Sequence, residues 1–189
     1  MLEHLPRWLG ETLRSVRSGA ERLAIVRHGE QDGLVELTLT SPAFADGGSI
    51  PANYSADGAG ISPPLAWSGL PDGTRSLALL VEDADAPALQ PLVHAIVWGI
   101  HPESMGLDEG AIDGHEGPDG EPGRNSYLRS GWLPPDPPTG HGPHHYAFQL
   151  FALDHAPVFE HPPGRSALIE AMTGHVLGAG MLTGTYERR

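Results

Sequence analysis

Three short stretches of the chain carry side chains that could do chemistry. The first, Val81-Glu82-Asp83-Ala84-Asp85-Ala86-Pro87, sets Asp83 and Asp85 two positions apart. In extended chain such residues point to the same side, where two like charges call for a proton, a cation or an imidazolium between them. The second is His94, enclosed by Val93, Ala95, Ile96, Val97 and Trp98. A ring in such apolar surroundings must find hydrogen-bond partners. The third is His141-Gly142-Pro143-His144-His145-Tyr146. Gly142 and Pro143 forbid a helix and so exclude a helical histidine pair for a metal; in a strand, His144 and Tyr146 share one side and His145 takes the other. Read singly, the first stretch is an ordinary Asp/Pro turn and the second a satisfied core histidine. A zinc site from His94, His144 and an aspartate has sound ligand types, but no spacing demands it.

The elements that must position these residues are strands. Val35, Leu37 and Leu39 alternate with Glu36, Thr38 and Thr40, the period of a half-buried strand. Residues 46–74 are punctuated by Gly and Pro and read as loops around a short strand. Ser76–Val81 and Val93–Ile100 are apolar runs of strand length, and Met181–Tyr186 reads as a closing strand. Tyr146–Leu153 is apolar at successive positions, which predicts a central strand covered on both faces. Helical character is confined to Ser166–Leu177 and to the start, where Leu2, Leu5, Leu9, Leu13 and Val16 form an amphipathic stripe. That stripe is expected to pack on the body or on a second copy, giving a homodimer, rather than on a membrane. Between Glu103 and Glu121 lie seven acidic residues and no Arg, without the spacing of a calcium loop; this reads as a solvated acidic loop. The expected organisation is an N-terminal helical extension over 1–33 and one domain over 34–189.

Composition narrows the function. A chain of 189 residues supports one well-buried core, and 25 Gly with 19 Pro favour turns and ordered loops. Eleven basic residues, all Arg, stand against 24 acidic ones, a formal charge of −13. Such a balance argues against general nucleic-acid binding and against anionic membrane surfaces. Any bound anion must be held by a local constellation working against the overall field. With no cysteine, disulfides, thiolate metal sites and cysteine nucleophiles are excluded. There is no apolar run long enough to span a bilayer and no apolar signal core in residues 1–30, so cytoplasmic residence is the expectation. Phosphate-cradling glycine motifs and a G-x-S-x-G elbow are likewise missing, and no nucleophile–base–oxyanion set is assembled.

Taken together and in order, the clusters resemble the phosphatidylethanolamine-binding protein family, specifically its bacterial Raf kinase inhibitor-like branch. The resemblance rests on Ser41-Pro42-Ala43-Phe44, Ser62-Pro63-Pro64-Leu65-Ala66-Trp67, Asp83-Ala84-Asp85-Ala86-Pro87, His94, Gly123-Arg124-Asn125, Pro137-Pro138 and Gly142-Pro143-His144-His145-Tyr146. It implies a mainly β fold of two packed, largely antiparallel sheets with a C-terminal helix. It also implies a small pocket for phosphate or phosphoryl head groups, lined here by Asp83, Asp85, Pro87, His94, His144 and Tyr146, with a cis peptide at Ala86–Pro87. The implied function is binding and regulation, without cofactor, metal or turnover. Binding is then expected to strengthen as pH falls from about 8 toward about 6, as histidine charges. Two alternatives use the same cluster: an acid–base or phosphoryl-processing enzyme, and a metal protein using His94, His144 and Asp85.

Several positions depart from the family pattern. Ala84 stands between the aspartates where Pro is usual, and His145 stands where Arg is usual. Ser126 replaces an Asp and Leu128 an expected Gly, while Asp136 takes the place of a small residue. If Asp136 borders the pocket, its charge opposes an anion.

Overall fold

The longest apolar runs form the middle of a six-stranded sheet. The computed structural model describes residues 19–29, 33–86, 88–117 and 119–188. The larger sheet contains β1 (Val35–Glu36), β4 (Ser76–Asp83), β5 (Leu92–Ile100), β7 (Glu121–Pro122), β8 (His144–Leu153) and β9 (Val176–Tyr186). Its order is β1-β9-β8-β4-β5-β7. A smaller sheet is formed by β2 (Thr38–Thr40), β3 (Leu65–Ser68) and β6 (Gly106–Leu107), in the order β2-β3-β6. Among these strands every pairing is antiparallel except β1 with β9. The mainly β, two-sheet architecture expected from the sequence is therefore present.

The larger sheet is buried on both faces. Leu77, Leu79 and Val81 of β4 face the smaller sheet, with Leu39, Trp67 and Phe148 in the same apolar cluster. Ala78 and Leu80 face the other way, into a cluster with Leu168, Ile169 and Met172 from helix α2 (Arg165–Met172) and Leu23–Val26 around helix α1 (Ala24–His28). All ten residues of β8 are buried, which is why that strand shows no polar alternation.

The alternating stretch from Val35 does not form one strand. β1 pairs with β9 in the larger sheet and β2 with β3 in the smaller one. Between them Leu37 donates its N–H to Ala179 O at 2.9 Å, so the chain changes sheets at this residue. The helix expected over 166–177 is shorter. It stops at Met172 because Gly174 takes φ +81, and Val176 already begins β9.

The N-terminal stripe of residues 2–16 lies outside the described residues. Residues 23–26, which follow it within the expected extension over 1–33, are part of the core. They are fastened by Glu82, whose buried carboxylate accepts from Ala24 N (2.9 Å), Gln149 Nε2 (2.7 Å) and Arg165 Nε (2.5 Å). No helix among the described residues is long and apolar enough to cross a membrane.

Candidate functional site

The ends of β4, β5 and β8 meet at one edge of the larger sheet. Asp83 is opposite Tyr146 in the β4–β8 register and opposite Leu92 in β5. Between β4 and β5 the register jumps from Val81–Ala95 to Glu82–Val93. His94 is therefore the extra residue of a β-bulge, a device that re-aims a side chain relative to strict alternation. Asp83, His94, His144 and Tyr146 all line one cleft of about 400 Å³. Pro134, Pro137 and Pro138 form part of its wall, and their fixed φ makes that wall stiff in advance of any ligand.

Hydrogen bonds fix the ring states. His94 Nδ1 lies 2.6 Å from Leu133 O, an obligate acceptor, so Nδ1 carries a proton. His94 Nε2 is buried with no hydrogen-bond partner. Burial, the largest influence, lowers the ring's pKa below the usual 6.5, against the carbonyl of Leu133 and the charge of Asp83. The neutral ring thus offers a lone pair at Nε2. His144 Nδ1 is 2.7 Å from Asp83 Oδ2, and its Nε2 is 2.9 Å from His141 Nδ1, a short relay with one proton between the two rings. Tyr146 packs edge-on against His94 at 5.0 Å. Burial first and Asp83 second push its hydroxyl pKa up, so it stays a phenol and a donor.

Asp85 does not join this group. β4 ends at Asp83, so strand alternation no longer applies. Asp83 Oδ1 accepts from Asp85 N at 2.9 Å, which closes an Asx-type turn. Asp85 Oδ2 then binds His145 N (2.8 Å) and His145 Nδ1 (2.6 Å). His145, expected to face away from the pocket, is a buried partner of Asp85. With Asp85 so engaged, the metal set of His94, His144 and Asp85 is not brought together. Pro87 and the peptide bond before it lie outside the described residues.

The loop that departs most from the family pattern is strapped to the bulge. Leu133 N donates to His94 O (2.8 Å), Ser126 N to Val93 O (3.0 Å), and Val93 N to Ser126 Oγ (2.8 Å). Ser126 is thus a fastener of the β5 edge. Leu128 has φ +60, the left-handed region where Gly is expected, and is 77% exposed. Asp136 does line the cleft, but its carboxylate is ion-paired with Arg188. The same guanidinium binds Asp57, which also accepts from Tyr186 Oη at 2.7 Å. Arg188 and then Tyr186 hold the Asp57 carboxyl below its usual range. Arg188 and Asp57 carry no local sequence signal, since an exposed pair separated by 131 positions belongs to no motif or period.

A family model described as phosphatidylethanolamine-binding protein matches residues 40–187. A UPF0098 protein of Methanothermobacter thermautotrophicus is 42% identical over 153 residues, covering 80% of this chain and 99% of that protein. The phosphatidylethanolamine-binding protein homologue CT736 of Chlamydia trachomatis superposes with a TM-score of 0.74 at 38% identity, covering 82% of this chain and 99% of CT736. Escherichia coli YbcL, described as a member of the mammalian PEBP family, gives a TM-score of 0.74 at 30% identity, covering 82% of this chain and 100% of YbcL.

Proposed function

Because this chain belongs to the phosphatidylethanolamine-binding protein family, we propose that its cleft holds the phosphoryl head of a small ligand or of a phosphorylated partner. The species held is the singly protonated one, and the protein acts by sequestering it without chemical turnover. The observation that carries this reading is the orphaned Nε2 of His94. A buried neutral imidazole nitrogen gains a partner when the ligand brings an O–H, and a fully ionised phosphate has none to give. Tyr146 supplies a donor to another ligand oxygen, and the His144–His141 relay can turn an N–H toward a third. Arg188 supports the same reading by neutralising Asp136 at the rim.

Binding rather than catalysis is favoured by the matching family model, which is described as that of a binding protein. The test is a calorimetric titration at pH 6.5, with chelator present, using O-phosphorylethanolamine and inorganic phosphate. Saturable one-site binding by the wild type, lost in His94→Phe and His144→Ala, is the expected result. A wild type that binds neither compound overturns the reading.

A further inference from the structure

The register of β8 with β9 creates a second histidine cluster away from the cleft. Leu153 and Val176 are paired at the ends of these strands. Asp154 and His155 therefore follow one strand while His175 precedes the other. Their backbones are held: Asp154 N donates to His175 O (3.1 Å), His175 N to Met172 O (3.0 Å), and Ser76 Oγ to His155 O (2.6 Å). His175 Nδ1 lies 2.8 Å from Asp154 Oδ1, and His155 Nδ1 lies 3.7 Å from the same oxygen. The two imidazole rings are 4.1 Å apart at an angle of 40°.

This is the one group of three or more His, Cys, Asp or Glu side chains among the described residues whose ligand atoms all lie within 4.8 Å of one another. Tetrahedral zinc, with bonds of about 2.0–2.1 Å, separates its ligand atoms by about 3.3 Å. The separations of 2.8 and 3.7 Å from Asp154 Oδ1 to the two imidazole nitrogens bracket that value. His155 Nδ1 is itself buried and makes no hydrogen bond, an unsatisfied ligand atom beside a carboxylate. Asp154 and His175 have side chains 44% and 48% exposed, which leaves a path for an ion and room for a water as fourth ligand.

We propose that Asp154, His155 and His175 bind a divalent transition-metal ion of the zinc class. Two imidazoles and one carboxylate are the ligand set such an ion takes, and the carboxylate offsets part of its charge. The site lies at the far end of β8 from His144, roughly 30 Å away at the usual rise per residue, and is independent of the cleft. Nothing in residues 154–175 spells it out, because the ligands meet only through strand pairing.

The experiment uses the chelator-stripped full chain and zinc chloride alone, in a buffer free of phosphate. One equivalent of zinc is expected to bind and to raise the unfolding temperature. The His155→Ala/His175→Ala double variant is expected to bind more weakly by more than about tenfold. Its unfolding temperature without zinc should match the wild type, which shows that it folds. Should it not fold, Asp154→Asn and the ring resonances of wild-type His155 and His175 during zinc titration decide the matter. Absence of saturable zinc binding by the wild type overturns the proposal. So does binding that survives the double variant, or resonance shifts confined to His141 and His144.

Discussion

His94 and Leu133 are bonded twice, ring Nδ1 to carbonyl at 2.6 Å and amide N–H to carbonyl at 2.8 Å. The pair locks both the loop and the tautomer, and so decides what the cleft can accept. If the ligand's own proton meets His94 Nε2, affinity follows the singly protonated fraction of a phosphomonoester. With a second pKa near about 6, that fraction rises about 50-fold between pH 8 and pH 6. O-Phosphorylethanolamine affinity measured by calorimetry at these two pH values should improve on that scale. The direction agrees with the expectation from sequence, but the titrating group differs, because burial keeps His94 itself neutral. A flat profile contradicts it.

His28 sets an acid limit on stability. It is buried, packs edge-on against Phe151 at 5.6 Å, and has its pKa lowered to about 4, by burial first and Arg27 second. Unfolded, the ring takes up a proton near 6.5, so the unfolded state binds more protons as pH falls from 6.5 to 4. Stability contributed by the neutral ring is full above that window and is lost through it, by up to about 3 kcal/mol. Urea unfolding at pH 7 and pH 4.5 should show the loss in wild type and a smaller one in His28→Phe. Equal losses would remove His28 from the account.

Leu128 occupies a left-handed conformation with its side chain in solvent. Leu128→Gly relieves a cost of about 1–2 kcal/mol, offset in part by greater freedom of the unfolded chain. A net gain of about 0.5–1 kcal/mol in thermal unfolding is expected. A lower unfolding temperature would mean that the leucine makes contacts worth more than the strain.

Glu82 ties β4 to β8, α1 and α2 through Gln149, Ala24 and Arg165. Replacing it by Ala leaves Arg165, only 12% exposed, without its carboxylate. The cost of breaking such a pair by removing one partner is about 3–5 kcal/mol. Urea unfolding of Glu82→Ala should read this loss, and a change below about 1 kcal/mol would assign Glu82 a lesser role.

What the sequence made legible follows from where order is local. β8 could be read because burial on both faces writes itself as an unbroken apolar run. Asp83, His94, His144 and Tyr146 could be grouped because their motifs recur in a familiar order. Asp85, which the family resemblance puts in the pocket and alternation puts on the side of Asp83, turns instead to His145, because the strand ends at Asp83 and alternation stops there. The sheet change at Leu37 was equally hidden: both halves keep the same period, and only pairing partners distinguish them. The Arg188 clasp on Asp57 and Asp136 depends on distant exposed residues, for which no periodicity exists.

The two outermost strands of the larger sheet have a consequence for self-association. β1 and β7 each have only two residues, Val35-Glu36 and Glu121-Pro122. A foreign strand arriving at either margin finds a short template, a carboxylate at both and, at one, a proline with no N–H to offer. The long apolar strands that would otherwise nucleate fibrils are enclosed between these blunt margins. A net charge of −13 adds repulsion between copies.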